Sequence, residues 1–420
     1  MPRPLQMAGW IVRPGAIMRR REAAYGDTFR LQIEPGSPWV MVSDPDDVKT
    51  VFTLGPEDFS AATDILRPTL GPHSLLCLDG TEHLRQRRLL LPPFHGERMQ
   101  GYRDVMREAT LEAIARMPVG TPFALRDHTQ AITLDVIMRA VFGVTDGPEV
   151  ARLREPLGRM LAWFGGPVLL LAQAALGPGN PLSRRARHVA IDPVDAELRR
   201  IIAERRGQDD LEDRDDILSL LLLARDEDGE PMSDDELRDE LLTLLVAGHE
   251  TTATGLAWAM ERLTRHPAAL ERLTDEARSG DTTYSDAVVK ETLRLRPVVQ
   301  LVPRRMLRDL ELRTCTVPAG EKVVVSIYLV HHRPDIYPEP DAFRPERFLT
   351  DPPSSAYAWI PFGGGIRRCI GAAFAQVEME VVLHTLVANA RFTAVGPAEH
   401  AARRAITLAP ERGGQVLLAR

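Results

Sequence analysis

The chain has 420 residues, of which 44% are hydrophobic and 26% are charged, a mixture typical of soluble globular proteins. The formal net charge of −7 argues against a general nucleic-acid-binding surface. Three cysteines, Cys77, Cys315 and Cys369, are too few for a disulfide framework and favour a reduced, cytoplasmic setting. The apolar run at residues 168–176 is much shorter than the ~20 residues of a membrane span, so a soluble protein is expected.

The first half of the chain predicts one hairpin followed by a long helical region. Residues 29–33 and 39–42 alternate between apolar and polar side chains around a segment with glycine and proline, which indicates a short β-hairpin. From residue 82 to about residue 225 the pattern is mostly helical, and proline and glycine interrupt it at intervals. We therefore expect several consecutive helices here.

The clearest predicted helix begins at Ser233. Ser233 and Glu236 have the spacing of a capping box, in which each side chain bonds the other's backbone N–H. The apolar pattern continues to about Arg265, and Pro267 ends it. At 1.5 Å per residue this helix would be about 45–50 Å long.

Two more helices and one more hairpin are predicted towards the C-terminus. Residues 284–295 have a helical pattern that ends before Pro297, because a residue before proline disfavours the helical conformation. Residues 310–315 and 323–326 read as a hairpin that contains Cys315 as a strand residue, and a last long helix follows Gly371 to about residue 390. Without an obvious linker or repeat, the prediction is a mainly α protein with small β-sheets, forming a single domain over residues 1–420.

Cys369 lies in a glycine-rich segment, residues 362–371, directly before the last predicted helix. Its three consecutive glycines lack a Cβ and let the backbone approach a neighbour closely. A cysteine before a helix N-terminus and beside Arg367 and Arg368 should be a thiolate, hence a nucleophile or a metal ligand. The segment has no histidine to act as a base for a nucleophile, whereas an inert buried cysteine is the commonest role of this residue type.

The segment resembles the haem-binding loop of the cytochrome P450 family, because Phe362, Gly365, Arg367, Cys369 and Gly371 fill that loop's fixed positions. Four further motifs resemble the family and stand in its order: His83 with Arg87, the oxygen-activation motif at 247–252, Glu-x-x-Arg at 291–294, and the arginine-containing segment 343–348. One small departure is residues 333–335, Arg-Pro-Asp, where relatives usually read Arg-Asp-Pro.

The resemblance implies the cytochrome P450 fold, with haem b between the long central helix and the cysteine loop. Cys369 would be the axial thiolate ligand of the iron, and dioxygen the co-substrate. The propionates of the haem are anions in a buried site and need cationic partners. The implied cofactor-binding residues are His83, Arg87, Ala247, Gly248, Arg304, Phe362, Gly363, Arg367, Cys369 and Gly371.

The same resemblance assigns Glu250 as a proton relay and Thr251 as the hydroxyl that steadies the activated oxygen. A threonine within a helix often bonds only to the carbonyl four residues earlier, but that alternative leaves the costly charge of Glu250 in an apolar stretch unexplained. His249 is expected to pack or join a polar network. Glu291, Arg294 and Arg347 are assigned to a buried structural ion network, and Cys77 to apolar packing.

The predicted substrate pocket is mostly apolar, which points to a lipophilic small molecule such as a terpenoid, steroid or fatty acid. Its residues, taken from family position, are Leu70, Leu75, Leu76, Phe164, Val168, Leu245, Val298, Val299, Gln300 and Leu301. Ordinary core packing is the alternative for each apolar member.

No reductase or ferredoxin segment follows Cys369, so electrons are expected from a separate ferredoxin and an NAD(P)H-dependent ferredoxin reductase. Arg85, Arg88 and Arg368 would form a basic patch for an acidic ferredoxin. A monomer without a nucleic-acid partner or membrane span is expected. A peroxygenase or isomerase on the same fold, and a non-catalytic haem-thiolate binder or gas sensor, are the alternatives, and the intact Glu250–Thr251 pair favours a monooxygenase.

Overall fold

The computed structural model describes residues 6, 9–10, 13–34, 37–64, 66–94, 98–143, 148–165, 181–404 and 406–419. The chain divides into two compact units. The first contains Met1–Ala62, Thr110–Thr129 and Ala253–Arg420, and the second contains Thr63–Ala109 and Gln130–Thr252.

Helices dominate the described residues, as predicted. In chain order they are α1 Pro14–Tyr25, α2 Pro45–Phe52, α3 Arg67–Leu70, α4 Gly80–Leu90, α5 Arg98–Arg116, α6 Leu125–Phe142, α7 Pro148–Gly165, α8 Pro181–Arg206, α9 Ile217–Leu223, α10 Asp234–Leu263, α11 Pro267–Ser279, α12 Thr283–Leu295, α13 Ile327–His331, α14 Arg347–Thr350 and α15 Ala372–Asn389. Short 3₁₀ turns occur at Pro92–Phe94, Leu211–Asp213 and Gly365–Arg367. Within the described ranges, no helix is both long enough and apolar enough to cross a membrane.

The strands form small sheets. They are β1 Thr28–Glu34, β2 Ser37–Val42, β3 Phe59–Ser60, β4 Phe123–Ala124, β5 Leu301–Met306, β6 Leu310–Glu311, β7 Thr316–Val317, β8 Lys322–Ser326, β9 Arg391–Ala394, β10 Ala401–Arg404, β11 Thr407–Pro410 and β12 Gln415–Ala419. The largest sheet, in the first unit, has five strands in the order β1-β2-β8-β5-β3. The predicted hairpin is confirmed, since β1 pairs antiparallel with β2.

The second predicted hairpin is wrong. Strand β6 pairs with β7, whereas β8 lies in the middle of the large sheet, parallel to β2 and antiparallel to β5. Every residue of β8 is buried, because a valine run suits a strand covered on both faces. Cys315 accordingly lies in the turn between β6 and β7, not in a strand, and packs against the hydrophobic core of this unit.

The long helix α10 begins as the capping box predicts. The backbone N–H of Ser233 donates to the Glu236 carboxylate at 2.7 Å, and the Glu236 N–H donates to the Ser233 hydroxyl at 3.2 Å. The helix runs for 30 residues to Leu263, and Pro267 begins α11 four residues later. The predicted helices at 284–295 and after Gly371 are confirmed as α12 and α15.

Candidate functional site

The loop that carries Cys369 is held by its own backbone. The Cys369 N–H donates to the Phe362 carbonyl at 2.9 Å, the Arg368 N–H donates to the Gly365 carbonyl at 3.0 Å, and the Gly363 N–H donates to the Ile360 carbonyl at 3.0 Å. These bonds close the segment into a compact turn that precedes α15. Cys369 is exposed at the end of this turn, whereas Cys77 is buried and Cys315 is half-buried.

The glycines of this loop are required by its contact with helix α2. Gly363 and Gly365 both have φ of +67°, a conformation that glycine adopts without steric cost. A Cβ at Gly365 would overlap the carbonyl oxygen of Phe52, and one at Gly364 would overlap the Phe52 ring. From the sequence we expect these glycines to let the backbone approach a cofactor closely. Within the protein, Gly364 and Gly365 allow a close approach to Phe52.

The cations predicted for the propionates differ in burial. Arg304 on β5 is buried, with its guanidinium over the Phe59 ring at 4.8 Å and one N–H donated to the Pro303 carbonyl at 2.9 Å. Arg367 is half-buried in the cysteine loop. In the second unit, His83 is buried and Arg87 half-buried one turn further along α4, so the two share a helix face as their spacing predicts.

The oxygen-activation motif lies on an unbroken part of α10. The Thr251 hydroxyl donates to the Ala247 carbonyl at 2.6 Å. The Glu250 carboxylate accepts from the Gln130 side-chain amide at 2.8 Å. Ala247 is exposed, although Leu245 and His249 are buried, so no described residue covers the helix at Ala247. Gln130, on α6, belongs to no local motif, so its contact with Glu250 could not be predicted from the sequence.

His249 makes the polar contacts that the sequence predicts for it. Its Nδ1 lies 3.0 Å from the Thr133 hydroxyl, which also donates to the His249 carbonyl at 3.1 Å. Nearby, a Cβ at Gly248 would meet the Ile137 side chain at 3.2 Å. Helices α6 and α10 therefore pack closely here, and Gly248 allows that approach.

The network of Glu291, Arg294 and Arg347 is buried in the first unit. Glu291 accepts from Arg294 at 2.7 and 2.8 Å and from Arg347 at 3.2 Å. The five N–H groups of Arg294 find five acceptors: both Glu291 oxygens and the carbonyls of His331, Pro340 and Ala342. Burial lowers the pKa of Arg347. Together these contacts form a buried, hydrogen-bonded ion network.

The predicted pocket residues fall into distinct groups. Leu245 has no exposed surface; it lies about 200° around α10 from Ala247, so it is a core residue and the prediction that it lines the pocket is wrong. The side chain of Phe164 and all of Val168 lie outside the described residues. Buried members are Leu70, Leu75 and Val298, and half-buried members are Leu76, Val299, Gln300 and Leu301.

The predicted basic patch needs correction. Arg85 pairs with Asp226 at 2.6 Å and with Glu236 at 2.7 Å. Arg88 pairs with Glu227 at 2.6 Å. The acidic turn between α9 and α10 thus neutralises Arg85 and Arg88. Of the three arginines predicted for the patch, Arg368 is exposed and has no ion-pair partner among the described residues.

Comparison with known proteins identifies the family. The sequence profile described as "Cytochrome P450" matches residues 7–414. A protein of Mycobacterium tuberculosis provisionally named cytochrome P450 135B1 is 41% identical over 401 residues, covering 93% of this chain and 84% of that protein. A second protein of the same organism, provisionally named cytochrome P450 138, is 37% identical over 428 residues, covering 100% of this chain and 95% of that protein.

Solved structures agree with this. The retinoic-acid-bound cyanobacterial CYP120A1 has a TM-score of 0.86 at 26% identity and covers 99% of this chain and 96% of its own. The haem domain of cytochrome P450DA shares the fold, with a TM-score of 0.84 at 24% identity, over 97% and 93% of the two chains. The chain belongs to the cytochrome P450 family. It has the fold of that family and is a P450 monooxygenase, an enzyme class that uses dioxygen at a haem held by a cysteine thiolate and generally takes electrons from redox partners.

Proposed function

We propose that Cys369 is the thiolate ligand of a haem b, and that the enzyme hydroxylates or epoxidises a lipophilic small molecule. The supporting observation is the contrast among the three cysteines. Burial raises the pKa of the Cys77 thiol, which disfavours its thiolate, and Cys315 packs against a hydrophobic core. Cys369 alone is exposed, on a loop whose backbone is fixed by hydrogen bonds. This donor fits a haem iron.

A bound haem supplies the metal centre at which dioxygen is reduced and one oxygen atom is passed to the substrate. The chain's own contribution begins with charge. His83, Arg87, Arg304 and Arg367 would hold the two propionates, since buried carboxylates require cationic partners. The turn at Gly365 fixes the direction of the Cys369 side chain, and Phe362, Gly363 and Gly371 complete the surface against which the cofactor lies.

Glu250 and Thr251 would deliver protons. The Gln130 amide donates to one carboxylate oxygen of Glu250 and so positions this acid on α10. The Thr251 hydroxyl, now donated to Ala247, can turn to donate to a ligand beside the exposed Ala247 surface. A positioned acid and hydroxyl of this kind accelerate proton transfer by general acid–base catalysis.

The electron source and setting complete the proposal. A separate ferredoxin, itself reduced by an NAD(P)H-dependent reductase, would supply two electrons, and Arg368 would attract its acidic surface. A cytoplasmic monomer with residues 1–420 as one catalytic domain is proposed; the requirement for a reduced Cys369 supports the cytoplasm. The structural relative CYP120A1 holds retinoic acid, a lipophilic acid, which supports a lipophilic substrate here.

The carbon monoxide spectrum tests the ligand. The reduced protein with carbon monoxide should show the strongly red-shifted Soret band of a thiolate-ligated haem. Cys369→His should lose that band even if it retains haem, because an imidazole donates less electron density to the iron. Cys77→Ser and Cys315→Ser are matched controls and should keep the band. Loss of the band in either control, or its survival in Cys369→His, would place the iron elsewhere.

A further inference from the structure

The hairpin of β10 and β11 contains an arginine, Arg403, whose guanidinium has no counter-ion among the described residues. Arg403 is half-buried, its Nε is shielded from solvent, and it donates no hydrogen bond to the described residues. Arg403 takes part in no ion pair among the described residues, whereas most of the other buried or half-buried arginines are paired with a carboxylate. Burial lowers the pKa of Arg403, as expected for a charge without compensation.

The surroundings of Arg403 are aromatic. Its guanidinium carbon lies over the ring of Trp10 at 5.5 Å, and Trp10 is itself buried and in edge-to-face contact with Trp39 at 5.7 Å. An arginine that rests on an aromatic face keeps its N–H donors in the plane of the guanidinium, where they fit the two oxygens of a carboxylate. The site therefore offers a cation on an apolar wall.

The strand register connects this cation to the predicted pocket. Arg403 lies directly opposite Leu408 in the β10–β11 pair, and the Leu408 N–H donates to the carbonyl of Val298 at 3.0 Å. Two such backbone spacings put the Arg403 backbone roughly 10 Å from that of Val298. An arginine side chain can cover much of that distance.

We propose that Arg403 binds the carboxylate of an amphiphilic substrate, a long apolar chain or ring system with one acid group. This inference rests on the proposed function and narrows its substrate class. Occupation by a carboxylate would give the Arg403 charge the partner that the described protein does not supply, and the apolar remainder would lie against the pocket side of Val298. Arg404, the next residue of β10, points to the opposite face of the strand and is the natural comparison.

The test measures equilibrium binding of dodecanoate and of dodecanol to the haem-loaded protein by calorimetry. The parent should bind the acid more tightly by about 10- to 100-fold, the effect of one charge-assisted pair. Arg403→Met should lose this preference, Arg403→Lys should retain part of it, and Arg404→Met should keep it. Equal binding of acid and alcohol by the parent, or an unchanged preference in Arg403→Met, would overturn the proposal.

The failure of this inference can be told from failure of the proposed function. The reduced carbon monoxide spectrum of the same preparations reports the thiolate-ligated haem and does not depend on the substrate. A red-shifted Soret band with no acid preference would reject only the role of Arg403. Loss of the band in the parent protein would reject the proposed function itself. Arg403→Lys keeps the positive charge, so it also covers the case in which Arg403→Met does not fold.

Discussion

The Thr251 hydroxyl is positioned by one hydrogen bond, which it donates to the Ala247 carbonyl at 2.6 Å. Thr251→Ala removes the hydroxyl without changing the backbone bonds of α10. We expect substrate affinity to stay the same, while electrons are diverted from product to hydrogen peroxide, because proton delivery loses one of its groups. The measurement is the amount of product and of peroxide formed per NAD(P)H consumed, and the product fraction should fall several-fold.

Thr264 provides the matched control for that change. Its hydroxyl makes the same bond to a carbonyl four residues earlier, to Met260 at 2.7 Å, beyond the C-terminal end of the same helix. Thr264→Ala should leave the product-to-electron ratio unchanged. An unchanged ratio in Thr251→Ala, or an equal fall in Thr264→Ala, would mean that the hydroxyl of Thr251 has only a helix-packing role.

Gly365 is constrained both by its backbone and by its neighbour. Its φ is +67° and a Cβ would overlap the Phe52 carbonyl. Gly365→Ala should therefore lower the melting temperature strongly, at a cost of about 3 kcal/mol or more, and reduce the haem bound per chain. Gly320 is the control, with φ of +86° and open space around it; alanine there pays only the backbone term, about 1 kcal/mol. Equal losses in both variants would refute the packing explanation.

Residues within one local motif can be predicted from the sequence, whereas contacts between distant parts of the chain cannot. Cys369, His83 and Arg87 could be proposed from the sequence because the roles proposed for them require particular residue types at fixed spacings within one loop or one turn of helix. Gln130 and Phe52 could not, because their contacts with Glu250 and Gly365 join distant parts of the chain. Leu245 was assigned wrongly because an apolar residue looks the same in sequence whether it faces a pocket or the core.

At the scale of elements, α10 carries an unusual acid. Glu240 is fully buried inside the protein. Burial raises the pKa of Glu240 to about 8, the Gln86 side chain and the Leu75 backbone oppose that rise, and the negative charges of Asp239 and Glu236 add to it. At neutral pH this carboxyl therefore keeps its proton in the folded protein.

The consequence is a pH dependence of stability with a definite sign. The pKa of Glu240 is raised in the folded protein above its unfolded value near 4.5. The stability that the protonated carboxyl contributes is therefore fully present below pH 4.5 and is lost as pH rises through about 8. Between those values the folded state binds more protons, and the free energy of unfolding falls by about 1.4 kcal/mol per pH unit from this group. Glu240→Gln should remove this slope, measured as melting temperature between pH 6 and pH 8.5.

Glu227→Gln is the control for the pH measurement, since Glu227 is an exposed surface partner of Arg88. Its melting temperature should follow the parent at every pH. If Glu240→Gln shows the parent's pH slope, then the buried acid does not titrate in this range.

Helices that local sequence patterns specify were predicted well, whereas strands whose position depends on pairing with distant strands were not. The capping box at Ser233 and Glu236 fixes the start of α10 through bonds three residues apart. Strand β8 instead takes its place from β2 and β5, which lie far away in the sequence. Alternation of side chains cannot say which strand is the partner, so residues 310–326 were assigned to a hairpin that the sheet does not contain.

At the scale of the whole molecule, the proposed ferredoxin, an acidic protein, would dock on a chain whose own formal net charge is −7. Arg85 and Arg88 are paired with acids of the turn before α10 and of the first turn of α10 itself, so Arg368 should dominate the attraction. Arg368→Glu should slow reduction by ferredoxin several-fold at low salt, because like charges then repel, and should leave substrate affinity unchanged. Reduction of the parent should slow with added salt, as screening at physiological ionic strength acts over about 8 Å.

Arg88→Glu is the comparison for this prediction and should change the reduction rate less than Arg368→Glu. The rates are measured by stopped-flow spectroscopy with reduced ferredoxin. A reduction rate that neither salt nor Arg368→Glu alters would contradict electrostatic docking at Arg368. Turnover driven equally well by hydrogen peroxide, without ferredoxin and dioxygen, would instead favour a peroxygenase.

The carbonyls that surround Arg294 restrict how this part of the chain can vary in length. His331, Pro340 and Ala342 each supply one acceptor, and together with Glu291 they use every N–H of the guanidinium. An insertion or deletion between residues 331 and 342 would move at least one of these carbonyls and strand a buried donor. Natural length differences among homologous chains should therefore occur outside residues 331–342. Loop grafting between relatives should succeed only when the twelve-residue length of this stretch is kept.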